Sequence, residues 1–147
     1  MLSEIGVISV STALLISLVL IYFSFVEVKN SNNVIPKKIY RFSLLQLFFS
    51  VLSFIILLVG YVFSDFSIIN VYENSHTTKP LFYKISGTWG NHEGSLLLWI
   101  NILVLFSFLF LFVSKNRNKK FKIYTLLFQN LLITIFFIFL LTTSNPF

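Results

Sequence analysis

The sequence predicts an all-α, polytopic transmembrane helix bundle of four spans, forming a single membrane domain over residues 1–147. Three observations carry this. Only 11% of the residues are charged and 56% are hydrophobic, where a soluble domain carries about 25% charged residues. The mean hydropathy is +0.88. Four uncharged apolar runs, at residues 5–26, 42–63, 95–113 and 123–143, are separated by connectors that hold almost all the charge.

Each run is long enough to span. A helix rises about 1.5 Å per residue, so about 20 residues cross a hydrocarbon core of about 30 Å. Inside lipid the backbone must satisfy its own hydrogen bonds, which makes an uncharged run of this length a helix. A barrel strand would alternate apolar and polar residues over about ten positions, and none of these runs does. The first run has Glu4 where a cleaved signal would have a basic region, and it exceeds the length of a signal core. It is expected to be a retained helix. Ser9, Ser11, Thr12, Ser17 and Ser24 lie along it; they fit helix–helix contact, or hydroxyls bonding back to their own helix.

Orientation follows from the connectors. Lys29, Lys37, Lys38 and Arg41 lie between the first two runs, and Lys115, Arg117, Lys119, Lys120 and Lys122 between the last two. Nine of the eleven basic residues thus share one side, which the positive-inside rule makes the inner one. Both termini and the 64–94 loop are then expected on the outer side. Residues 30–33 with Pro36 predict a solvated turn, and the basic connectors touch anionic headgroups. The balance of +6 is therefore no sign of nucleic-acid binding. There is no cysteine, hence no disulfide or thiolate metal site. Gln46, Asn101, Gln129 and Asn130 are the amides within the runs. They predict interhelical hydrogen bonds, and no ionisable group marks a proton or ion path there.

The densest chemistry lies in residues 87–99, which hold three of five glycines, both tryptophans, His92 and Glu93. A helix continuous through this stretch would put Trp89, His92, Leu96 and Trp99 on one stripe, with Glu93 beside it. Gly87, Gly90 and Gly94 would then lie with Leu97 and Asn101 on a nearly opposite, close-packing stripe. Residue physics leaves four readings of the first stripe open. It is an interfacial anchor, a metal or haem site using His92 with His76, an acid–base pair of His92 and Glu93, or a docking face for a flat aromatic ligand or a partner protein. Adjacent helical residues do not face each other, which makes the acid–base pair geometrically poor.

The run Trp89-Gly90-Asn91-His92-Glu93-Gly94-Ser95-Leu96-Leu97-Leu98-Trp99 resembles the WGxHEGSLLLW signature of the CcmF family, the haem lyase of system I cytochrome c maturation. Residues 72–85, with Asn74-Ser75 and Pro80-Leu81-Phe82-Tyr83-Lys84-Ile85, resemble its lead-in, and Thr143-Ser144-Asn145-Pro146-Phe147 resembles its TSNPF element. The likeness covers residues 72–147; the first two runs fit by number and position. The family's WWD segment and haem-holding histidines lie further on and are not in this chain.

The resemblance therefore implies an N-terminal portion that supports stereospecific attachment of haem b, as the transferred group, to apocytochrome c on the outer face. It implies that a WWD-containing remainder holds the haem, with a haem chaperone and membrane lipid as further partners. It assigns Trp89, His92, Glu93 and Trp99 to haem or partner docking and Gly87, Gly90 and Gly94 to helix packing. No residue is assigned to catalysis or to a metal. Alanine occurs once and arginine twice, while Phe, Ile, Asn, Lys and Tyr abound. This AT-rich codon bias fits a split organellar gene and the mitochondrial inner membrane, with a bacterial cytoplasmic membrane as the alternative. The rival function is a structural hydrophobic subunit of a respiratory or transport complex.

Overall fold

The structure, a computed structural model, describes residues 1–30, 34–114 and 117–147. The expected turn at 30–33 falls largely outside the described residues, as does Lys115. Four long helices form: α1 (Leu2–Lys29), α2 (Lys37–Phe63), α5 (His92–Val113) and α6 (Lys119–Thr143). Two short ones, α3 (Ile69–Asn74) and α4 (Leu81–Gly87), lie in the connection between α2 and α5. The four long helices are apolar and long enough to cross a membrane.

Each outgrows its uncharged run by a few residues, because charges at the membrane edge do not end a helix; capping and proline do. Pro36 stands just before α2 with φ −60° and ψ 141°, and its missing N–H costs nothing there. At the other end of α2, Ser64 adopts the left-handed conformation (φ 56°). The Ser64 amide then reaches the Tyr61 carbonyl and the Asp65 amide reaches the Gly60 carbonyl, the two bonds that close a helix tightly.

α1 packs on α2 and α6, and α5 packs on the same two, so the helices form a ring in the order α1–α2–α5–α6. Contacts between their ends show alternating directions. Lys119 at the start of α6 meets Glu27 near the end of α1, and Ser144 after α6 meets His92 at the start of α5. The bundle thus has a basic end, holding the starts of α2 and α6, and a loop end, holding residues 64–91.

The buried positions repeat in steps of three and four. In α2 such a series runs Ile39, Ser43, Gln46, Ser50, Ser53, Leu57 and Gly60, with Ile56 and Tyr61 buried beside it. In α6 it runs Ile123, Leu126, Asn130, Ile133, Phe137 and Leu140, with Lys122 and Thr134 buried beside it. This 3.5-residue period belongs to helices that coil gently left-handed about each other. Small side chains fill much of the seam: α1 buries Gly6, Ser9, Ala13, Ser17 and Ser24. Between helices in lipid, where no hydrophobic drive remains, such close approach supplies the dispersion contact.

The hydroxyls fulfil both expectations. Ser9 and Thr12 bond back to the Ile5 and Ile8 carbonyls, whereas Ser17 Oγ meets Thr134 Oγ1 across α1 and α6 at 2.7 Å. The amides differ from expectation. Asn101 and Asn130 donate to the Leu97 and Leu126 carbonyls of their own helices at 2.9 Å. Among the described residues Gln46 Nε2 finds no partner, and of the four amides only Gln129 reaches another helix, at 3.5 Å from the Leu103 carbonyl. A carbonyl one turn back is within reach of a short amide side chain in any helix, so a partner across the bundle is not required.

Glu27 and Lys119 form a buried ion pair at 2.9 Å, with side chains only 5% and 7% exposed. Removing one partner leaves the other charge buried, which costs about 3 kcal/mol. Glu27→Gln is therefore expected to lower the melting temperature of the helical circular-dichroism signal in detergent. The double variant Glu27→Met/Lys119→Met is expected to recover most of the loss.

Candidate functional site

The loop end is built on one polar cluster. Tyr61 lies one turn from the end of α2 and is fully buried. The tight close at Ser64 turns the chain, and Asp65 accepts the Ser67 amide at 3.0 Å. Hydrogen bonds from Ser67 hold the Asp65 carboxyl below its usual pKa. The chain then enters α3, with Ile68 and Val71 buried against the bundle. That anchoring aims Asn70 inward.

Asn70 and Asn91 form a two-bond amide pair. Asn70 Nδ2 donates to Asn91 Oδ1 at 3.1 Å, and Asn91 Nδ2 donates to Asn70 Oδ1 at 2.9 Å. The Tyr61 hydroxyl donates to Asn70 Oδ1 at 2.6 Å and accepts from Asn91 Nδ2 at 2.7 Å. Asn70 Nδ2 also donates to Glu93 Oε2 at 3.1 Å. Asn91 is at the same time the N-cap of α5: its Oδ1 accepts the Gly94 amide at 2.7 Å, satisfying a backbone donor the helix cannot. Four side chains from three elements and a turn therefore hold one another and start the third long helix.

This geometry corrects the continuous helix expected over residues 87–99. α4 ends at Gly87, Thr88–Asn91 form a turn, and α5 begins at His92. Asn91 is extended (φ −119°, ψ 171°) because its side chain caps the next helix. The two expected stripes accordingly dissolve. Trp89 stands in the turn and is 41% exposed, while Trp99 lies two turns down α5 and is 64% exposed. His92 is exposed, with Nδ1 3.4 Å from Ser144 Oγ. Glu93 turns inward to Asn70 instead of flanking the tryptophans.

The glycines also part company. A Cβ on Gly87 would stand 3.0 Å from the Tyr61 ring, so this glycine does admit close packing on α2. Gly90 faces the Ser86 carbonyl of its own turn, and a Cβ on Gly94 would overlap the Thr88 carbonyl oxygen. These two permit the turn to fold onto the start of α5 and do not form a face toward another helix.

Sequence reading missed Tyr61, Asn70 and the capping role of Asn91. An Asn before a long apolar run, with Glu93 in the first turn, is itself an N-cap signal. Tyr61 and Asn70 carry no such signal, because their meeting depends on how α3 folds back.

Around the cluster the surface is aromatic. Phe66, Tyr72, Phe82, Tyr83 and Trp89 are exposed. His76 lines an open cleft of about 560 Å³ with Phe66, Tyr72, Glu73, Ser75 and Thr77, whose walls do not include His92. Among the described residues no three His, Cys, Asp or Glu side chains group as for a metal ion. The arrangement is a braced platform: Glu93 is engaged within it, and His92 and Trp89 are offered outward.

Known proteins place the whole chain. Over 105 residues, 71% of the chain, it is 49% identical to the cytochrome c-type biogenesis protein CycK of Bradyrhizobium diazoefficiens, covering 16% of that protein. Over its full length it is 32% identical to the cytochrome c-type biogenesis protein CcmF of Haemophilus influenzae, covering 23% of it. The chain is similar to part of the CcmF-family proteins. A solved structure, the cytochrome c haem lyase CcmF, superposes on the entire chain with a TM-score of 0.90, at 22% identity and over 25% of its own length. No family model matches the chain. It spans about a sixth to a quarter of the length of these CcmF-family relatives. The multi-pass, all-helical membrane architecture expected from the sequence agrees with this relationship.

The amide pair is open to a direct test. Asn91→Ala removes a cap and strands Asn70, a loss of about 2 kcal/mol. The expected outcome is a lower melting temperature and faster tryptic cleavage after Lys79 and Lys84. Gly94→Ala is expected to act in the same direction, by pushing the Thr88 carbonyl away.

Proposed function

We propose that this chain is the N-terminal part of a cytochrome c haem lyase, supporting covalent attachment of haem to apocytochrome c. The observation that carries the reading is the 49% identity to a cytochrome c-type biogenesis protein over 71% of the chain. The chemistry of the loop end agrees with a supporting role. Glu93 is occupied by Asn70, and His76 lines a different cleft from the surface that bears His92. The described residues thus offer single imidazoles, which suit contact with a haem edge or a partner better than a resident haem. Haem b, as the group transferred, is assigned to a WWD-containing remainder, and a haem chaperone and apocytochrome c are the further partners.

The platform of Trp89 and His92, set by Glu93 and the amide pair beneath, docks the haem-bearing partner. Trp99, exposed two turns down α5, packs against lipid or the remainder. The distribution of Lys and Arg supports placing the loop end and both termini on the outer side. The AT-rich composition supports the mitochondrial inner membrane; the relatives named above, being bacterial, fit the bacterial cytoplasmic membrane equally.

Substituting His92→Ala and Glu93→Gln separately, and assaying covalent haem in c-type cytochromes, tests the reading. Both changes are expected to lower haem attachment while the chain still accumulates in the membrane. Near-normal maturation in both would refute the docking assignment. Co-purification with a respiratory complex, without any WWD-bearing polypeptide, would refute the function.

A further inference from the structure

The basic end of the bundle has an unbalanced charge. Nine lysines and arginines lie there by sequence, against Glu27 alone, while the loop end has Lys79 and Lys84 against Glu4, Asp65, Glu73 and Glu93. Some of the cations are accounted for within the fold. Lys119 pairs with Glu27, Lys38 stands 4.4 Å from the centre of the Phe23 ring, and Lys29 5.0 Å from that of Phe25. Arg117 is different. It is exposed, no carboxylate among the described residues pairs with it, and it borders an open cleft of about 480 Å³.

Among the described residues the remaining walls of that cleft are Phe110, Val113, Ser114 and Phe121. Phe110 and Phe121 close one side, with ring centres 6.2 Å apart. Val113, the last residue of α5, is 85% exposed. A guanidinium thus stands at the mouth of an apolar groove, where the helices leave the hydrocarbon. A soluble anion would gain from the guanidinium and nothing from the groove. A molecule with an anionic head and apolar chains gains from both. Arginine's planar fork binds phosphate oxygens in pairs, and basic pockets between helix ends are suited to anionic headgroups.

We propose that the cleft between the end of α5 and the start of α6 binds one anionic phospholipid. The phosphate sits on Arg117, and an acyl chain lies along Phe110, Val113 and Phe121. The Arg117 charge selects an anionic over a zwitterionic headgroup.

The test uses the full chain in detergent, stripped of lipid and offered palmitoyl-oleoyl phosphatidylglycerol or the matching phosphatidylcholine. Retained lipid is counted by native mass spectrometry. The expected result is one phosphatidylglycerol retained about fivefold over phosphatidylcholine, the preference about one well-placed basic residue supplies. Arg117→Gln is expected to abolish the preference. Lys37→Gln, which removes the same charge from the other basic connector, is expected to leave it intact. Equal retention of the two lipids, or equal loss in both variants, would overturn the proposal. Should Arg117→Gln reduce helix content, a photo-crosslinkable phosphatidylglycerol on the unmodified chain decides. Crosslinks confined to residues 110–121 support the site, and crosslinks scattered around the bundle overturn it.

Discussion

The amide pair between Asn70 and Asn91 is the constraint on which the loop end depends. Each side chain has two donors and two acceptor sites, and the cluster uses them almost fully: on each other, on Tyr61, on Glu93 and on the first turn of α5. Such a cluster is effective because it is complete. Partly satisfied, the same polar atoms would carry a desolvation cost at the edge of an apolar bundle. Complete, they join the end of α2, the short α3 and the start of α5 into one unit. The outward set of Trp89 and His92 follows from that unit.

The rest of the bundle is held differently. Its seam is made mostly of small residues and aliphatic side chains, with Gln46, Asn101, Asn130 and Phe137 among them, and the Ser17–Thr134 hydroxyl pair crosses from α1 to α6. Polar contact concentrates at the two ends, in the amide cluster at one and the Glu27–Lys119 pair at the other. Between them the helices are free to present apolar side chains outward: Phe48, Phe106, Phe128 and Ile135 are all more than half exposed.

The residues of the candidate site were legible in kind and not in arrangement. Trp89, His92, Glu93 and Trp99 stand out because tryptophan, histidine and acid are scarce in this composition. A helical period then sorts them into faces, and that step fails at Asn91. Local propensity does not forbid a helix through Gly90 and Asn91. What ends it is the Asn91 side chain finding Gly94 behind it and Asn70 beside it. Glu93 turns inward for the same reason, since the Asn70 amide, 23 residues earlier in the chain, is brought beneath it by α3.

By itself the sequence determined that there are four apolar helices, roughly where each lies, that they alternate in direction, and which family they resemble. These follow from run length, from charge in the connectors and from a short motif, all of which are properties of neighbours along the chain. The tertiary structure alone decided that the α2–α5 connection folds back to bury Asn70. It also decided that the motif opens as a turn and a cap, and that Glu27 finds Lys119. Apart from the local bond from Gly94 to Asn91, these pair polar groups distant in sequence. Removal from water costs each group; pairing offsets that cost, and the partners meet only once the helices have packed.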